Sequence, residues 1–158
     1  MKKIIFIIGI ILNLTVNLIA NNSIYLGIQS SFPSDGISVK IDTSEKVAFQ
    51  SIVDPLGAER SISFRGIYKF KRNIFSNIYG YGEVGLWNWD RRYYNDESVN
   101  TFGYGIGTGV EYDLRGLDAG FLPLFVNAEL NLHFFDREKD YYSDSQELGL
   151  GFGVHYKF

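Results

Sequence analysis

Over its last eleven residues the chain sets an apolar side chain at every second position: Leu148, Leu150, Phe152, Val154, Tyr156 and Phe158, with Gly149, Gly151, Gly153, His155 and Lys157 between them. A period of two over that length fits a strand with one apolar face and fits no helix. The run is longer than the mean strand of a soluble domain and about as long as a strand that crosses a bilayer.

The same alternation, interrupted by turn clusters, covers nearly all of the chain beyond its first twenty residues, and no window there shows a sustained helical period with start and stop signals. It predicts strands over Ser23–Ser31, Ile37–Asp42, Val47–Val53, Ser61–Lys71, Asn77–Trp89, Thr101–Asp113, Pro123–Phe135 and Gln146–Phe158. Eight is an even number and the smallest class of membrane barrel, so the fold class expected is all-β: an eight-stranded antiparallel up-and-down transmembrane β-barrel. Connections 72–76 and 114–122 are short or weakly charged, whereas 90–100 and 136–145 are crowded with charge and tyrosine. That alternation matches short periplasmic turns and longer external loops.

The last two hairpins read as copies. Glu83, Leu86, Asp90 and Arg91 align without a gap on Glu129, Leu132, Asp136 and Arg137, and Gly109, Val110 and Tyr112 of the return strand recur as Gly153, Val154 and Tyr156. Hairpin duplication suits a fold assembled from hairpins.

Face assignment follows from cost. Over 101–113 one set of positions is Phe102, Tyr104, Ile106, Thr108, Val110 and Tyr112, and the other is Gly103, Gly105, Gly107, Gly109, Glu111 and Asp113. Only the first can face acyl chains. By the same rule Leu124, Val126, Ala128, Leu130, Leu132 and Phe134 point outward, with Asn127, Glu129, Asn131 and His133 inward. Ile62, Phe64, Tyr68 and Phe70 likewise go out, leaving Arg65 and Lys69 inside. Glycine on the inner face makes room for long groups from neighbouring strands in a narrow barrel. A soluble barrel would invert these faces, as in a lipocalin-like secreted carrier of an apolar ligand. The glycine stacks and the aromatic terminus speak against that inversion.

The N-terminus carries Lys2 and Lys3, an apolar run over Ile4–Leu12, and Ala20 before two asparagines. These are the zones of a secretory signal peptide, expected over residues 1–20 with the barrel over 21–158. Asn13, Thr15 and Asn17 leave the apolar run too short for a membrane-spanning helix. Of 158 residues, 15 are basic and 18 acidic; without Lys2 and Lys3 the balance is 13 against 18, a net charge of −5 that gives no reason to expect nucleic acid. The absence of cysteine rules out disulfides and a lipid-modified N-terminal cysteine.

Candidate chemistry lies in two places. Arg65, Lys69, Glu83, Glu111, Glu129 and His155, with Lys40, share the expected interior and should form an ionic network, because buried charge is costly unless paired. Paired carboxylates can also do acid–base catalysis, but cations on adjacent inner faces favour a structural role. His133 and His155 are the only histidines; His133 lies nearer the external rim, yet no serine accompanies it on its strand, so a catalytic triad has little support. No metal-ligand spacing is present and no cofactor is expected. Toward the outer loops, Trp87, Trp89, Arg91, Arg92, Tyr93, Tyr94, Arg137, Tyr141 and Tyr142 are residue types that binding interfaces favour. They equally suit an interfacial belt with charges meeting lipopolysaccharide or water.

The architecture and the aromatic ending at Tyr156 and Phe158 resemble the small OmpA/OmpX-type outer-membrane barrels, including Opa-like surface proteins and porin-like β-barrel domains. The resemblance covers the whole chain after residue 20 but rests on no family-specific motif. It implies a monomer in the bacterial outer membrane with a packed interior and a surface, adhesion or envelope-integrity role. It also implies Tyr156 and Phe158 as the signal read by the barrel-assembly machinery, outer-membrane lipid and lipopolysaccharide as surroundings, and possible host or surface ligands as partners. Some small barrels of this kind modify lipid A, which stands as the enzymatic alternative.

Overall fold

The computed structural model describes residues 23–54, 60–90, 98–136 and 146–158, with backbone only at Trp89, Asp90, Ser98, Val99, Asp136 and Gln146. The expected signal peptide lies outside these residues. Eight strands form one closed antiparallel barrel in sequence order: β1 (Ser23–Ser31), β2 (Ser34–Asp42), β3 (Val47–Asp54), β4 (Arg60–Arg72), β5 (Ser76–Asp90), β6 (Ser98–Asp113), β7 (Leu124–Asp136) and β8 (Gln146–Lys157), with β8 pairing back to β1. A single 3-10 turn, Leu114–Gly116, starts the β6–β7 connection. Its first residue follows Asp113, whose carboxylate caps Arg115 N at 3.1 Å.

Most strand limits fall within a residue or two of the alternation. Two differences have physical causes. Strand β2 begins at Ser34, three residues before the expected Ile37, because only Phe32 and Pro33 separate the paired Ser31 and Ser34. Gly36 makes this possible: its φ is +138° and a Cβ there would lie 2.2 Å from Val53 O, so the strand passes where no other residue fits. Strand β6 begins three residues early, at Ser98, because β5 and β6 stay paired through Trp89–Val99 and Asp90–Ser98. An antiparallel pair satisfies its own backbone groups, so this ribbon can outrun its neighbours.

The stagger of closure can be read from the pairing. One row of register partners runs Lys157, Tyr25, Lys40, Gln50, Arg65, Glu83, Gly105, His133 and Glu147. It leaves β8 at residue 157 and returns to it at 147, ten residues away. With the usual rise and strand spacing this corresponds to a tilt of about 40°, normal for small membrane barrels.

The faces divide as the alternation requires. Leu26, Ile28, Phe49, Phe64, Tyr104, Ile106, Leu150 and Phe152 are exposed on the outer wall, while Gln29, Lys40, Arg65, Glu83, Glu111, Glu129 and both histidines are buried inside. Ala48, Ile67, Tyr79 and Tyr81 form a small apolar cluster within the barrel. Hydrocarbon is the solvent in which such an inside-out molecule is stable, since water would face its apolar wall.

Phe64 tests this. A cation at mid-bilayer on the outer wall costs about 2–4 kcal/mol in such barrels, so Phe64→Lys should lower stability by that amount in urea titrations of the vesicle-embedded protein. A silent substitution would mean that the outer wall is not in lipid.

Candidate functional site: a packed lumen under an aromatic roof

Glu129 shows how the interior is built. On either side its register partners are glycines, Gly109 on β6 and Gly151 on β8, and one strand further out stand Tyr79 and Ser31. Both reach over the glycine: Tyr79 donates to Glu129 Oε1 at 2.7 Å and Ser31 to Oε2 at 3.2 Å. A Cβ at Gly109 would sit 2.8 Å from the Tyr79 hydroxyl, and one at Gly151 2.5 Å from Ser31 Oγ. Tyr81 and Gln29 also donate to Oε2, each at 3.2 Å, and Arg65 Nη1 does so at 2.9 Å. The pattern recurs. His133 reaches across Gly105 to Glu83 at 3.2 Å, and Asn127 reaches across Gly153 to Gln29 at 3.1 Å.

Arg65 is the hub. Its Nε donates to Glu83 at 2.8 Å while its Nη1 serves Glu129, and the guanidinium carbon lies 4.5 Å from the centre of the Tyr81 ring. Ser34 Oγ adds a 2.5 Å bond to Glu83. Nearer the end at which β1 begins and β8 ends is a second group: Lys40 pairs with Glu111, which also accepts from Asn77 at 3.2 Å. Beside it Lys69 lies 2.7 Å from Asp42, which accepts from Tyr25 OH at 2.9 Å. Lys40 also sits over the Tyr25 ring, 4.3 Å from its centre. Three buried cations and three buried glutamates thus balance, with Asp42 and Asp113 at the mouth, the latter held by Arg115. A charge-balanced, hydrogen-bonded interior is the condition under which buried ions are tolerated.

Of the residues expected in this network, Arg65, Lys69, Glu83, Glu111 and Glu129 are placed in it. His155 is inside but bonds no carboxylate. Its Nε2 lies 2.9 Å from Ser38 Oγ, which accepts from Gln50 Nε2 at 2.8 Å. Ser38 and His155 are fully buried, and His155 Nδ1 has no partner among the described residues. A serine–histidine pair without an orienting acid or an approach for substrate is a structural contact. The pairing was hidden in the sequence because 117 residues separate its members.

Trp87 is a correction. The sequence reading set it among the outer-loop binding residues, but it is inside the barrel at 2 % exposure, edge-on to Phe135 at 5.5 Å and to His133 at 6.2 Å. It continues the inward series Tyr79, Tyr81, Glu83 and Gly85, and its ring fills the space left by Gly85 and Gly103. Alternation counted from Glu83 would have shown this. With Phe135 it roofs the lumen at the end of the barrel opposite Ser23 and Phe158. The remaining loop candidates Arg91, Arg92, Tyr93, Tyr94, Arg137, Tyr141 and Tyr142 lie outside the described residues, as does the Trp89 side chain. Tyr156 and Phe158 stand on the outer wall, ring centres 4.9 Å apart, with Phe158 N bonded to Ile24 O at 3.0 Å across the β8–β1 seam.

No protein-family model matches the chain, and no curated protein does. Among solved structures it is similar to the neisserial surface protein NspA, at 17% identity and a TM-score of 0.50, covering 87% of this chain and 94% of that one. The Ail protein of Yersinia pestis, titled an attachment invasion locus protein, aligns at 13% identity and a TM-score of 0.45, covering 87% of this chain and 97% of its own. The fold is that of the small eight-stranded outer-membrane barrels of the OmpA/OmpX type.

Two tests probe the lumen. Arg65→Leu strands two carboxylates, and breaking a buried pair typically costs about 3–5 kcal/mol in unfolding titrations. Adding Glu83→Gln should recover more of that loss than adding Glu129→Gln, since Glu129 keeps its hydroxyl and amide donors; equal rescue would contradict the bonding described. Separately, Gly105→Val should cost about 1–3 kcal/mol, because its Cβ would meet the His133 ring at 2.4 Å. Gly82→Val, with nothing within 4 Å, should be neutral or stabilising in the same assay.

Proposed function

We propose that the chain is a monomeric outer-membrane surface protein whose barrel is an inert, plugged support for its loops, serving adhesion or envelope integrity. The observation that carries this reading is the filled lumen: Arg65, Glu83, Glu129 and the aromatic roof occupy the space through which a pore would conduct. Eight strands leave an interior only wide enough for side chains, so diffusion of solutes is not its role. A bilayer location is supported by the apolar outer wall, and the surface role by the fold it shares with a protein titled a surface protein. The interaction itself falls to segments 91–97, with two arginines and two tyrosines, and 137–145, with one arginine and two tyrosines, which connect β5 to β6 and β7 to β8. Their surroundings would be lipopolysaccharide, and their ligand a host or envelope surface. Tyr156 and Phe158, exposed at the closing seam, suit recognition by the assembly machinery.

A lipid A-modifying activity has less support. His133 is fully buried beneath Trp87, its Nε2 faces Glu83, and no serine bonds it among the described residues. Ser38 and His155 are as inaccessible.

Expressed with its N-terminal segment in a Gram-negative host, the protein should fractionate with outer membranes and migrate differently on gels before and after boiling. Shortening 91–97 or 137–145 should abolish binding to host cells or matrix without changing that mobility shift, and His133→Asn should leave lipid A unchanged. Recovery as a soluble periplasmic monomer would sink the membrane reading; a change in lipid A acylation that requires His133 would sink the non-catalytic one.

A further inference from the structure

The end of the barrel at which β1 begins and β8 ends is not uniform. Its β2–β3 turn, Thr43–Lys46, is wholly polar, whereas the β4–β5 and β6–β7 turns are strongly apolar. Ile74 is 89 % exposed, Leu117 70 % and Leu122 62 %, with Phe75 and Phe121 also exposed. Connections of a membrane barrel stand in water, so side chains of this kind at such exposure need an apolar neighbour. The two turns are locked together: Asp113 N donates to Phe75 O at 2.8 Å, and Gly116 lies so close to Phe75 that a Cβ would be 2.7 Å from its side chain. They form one foot, which continues without a break from the outward row of Phe70, Ile78 and Tyr112.

Cations ring this foot. A bulge at Lys69/Lys71 brings Lys71 into register with the outward Ile78, so its ammonium leaves the lipid-facing wall at its lower edge, with no carboxylate in ion-pair range among the described residues. Arg72 is half exposed and bonds the Glu45 carbonyl at 3.2 Å, with that residue's carboxylate 4.0 Å away. Arg115 is held by Asp113. Asp118, the other acid of the foot, accepts from Gly120 N at 2.8 Å.

We propose that this foot sits in the headgroup layer of the adjoining leaflet and selects acidic phospholipid, Lys71 and Arg72 meeting the phosphate while Ile74, Leu117 and Leu122 enter the upper acyl region. The inference rests on the membrane-barrel reading. What favours lipid over a protein partner is continuity with the lipid-facing wall and, at its edge, the Lys71 ammonium that no carboxylate holds among the described residues. Each basic residue beside an anionic surface is worth about fivefold in partitioning, so the pair should confer a selectivity of more than tenfold.

The test is refolding of the chain from residue 21 into vesicles of phosphatidylcholine alone and of phosphatidylcholine with phosphatidylglycerol, reading the folded–unfolded equilibrium in urea. The wild type should gain more than tenfold in that equilibrium from phosphatidylglycerol, and salt should abolish the gain. Lys71→Gln with Arg72→Gln should lose the gain while folding normally in phosphatidylcholine. Ile74→Ser with Leu117→Ser should weaken folding in both. An equal gain in the basic-residue variant, or no gain in the wild type, overturns the proposal and leaves the foot to a protein partner. Failure of the wild type to insert in either vesicle would instead overturn the membrane-barrel reading.

Discussion

Tyr79 and Ser31 reach Glu129, His133 reaches Glu83 and Asn127 reaches Gln29 each across a strand at a glycine, and the structure depends on that constraint. Eight strands enclose too little volume for inward side chains on all of them. By omitting the side chain on β6 and β8, where Gly103, Gly105, Gly107, Gly109, Gly149, Gly151 and Gly153 stand, the chain lets tyrosine, histidine and serine from β5, β7 and β1 reach past to the carboxylates. Without those gaps the glutamates would be buried beside groups unable to reach them, and an unpaired buried charge is among the costliest defects a protein can carry.

Much of this was legible in the sequence because membrane strands leave little freedom. A period of two is read directly, and the outer face must be apolar, so strand positions, faces and the inward Arg65, Lys69 and Glu111 follow from simple counting. What counting could not supply is partnership across the barrel. Ser38 and His155 meet because β2 and β8 both flank β1, a relation set by closure rather than by local sequence. Trp87 differs from expectation for another reason: tryptophan near a loop is a common interface residue, but the alternation that runs through Glu83 turns its ring inward.

The repeated hairpin shows the limit of alignment. Glu83 and Glu129, matched in sequence, occupy equivalent places, each opposite a glycine, Gly105 and Gly151, and each bound to Arg65. The return strands tell another story. Gly109 and Gly153 align by sequence, but by pairing Gly109 faces Tyr79 while Gly153 faces Asn127, two residues out of step with the equivalence of the outgoing strands. A slip of two preserves which side chains face lipid, so a duplicated hairpin can diverge in this way at no cost to its outer wall.

That tolerance makes the pairing of Arg65 with Glu83 more than a source of stability. The apolar wall distinguishes a shift of one residue but is blind to a shift of two, and a barrel closing around its circumference could settle into several such alternatives. Sliding β4 against β5 by two would set Arg65 opposite Tyr81 or Gly85, leaving a buried guanidinium and a buried carboxylate apart. The buried ions therefore act as a ruler: lipid sorts in from out, while charge helps to count the residues, and in counting them holds the girth and lean of the whole cylinder.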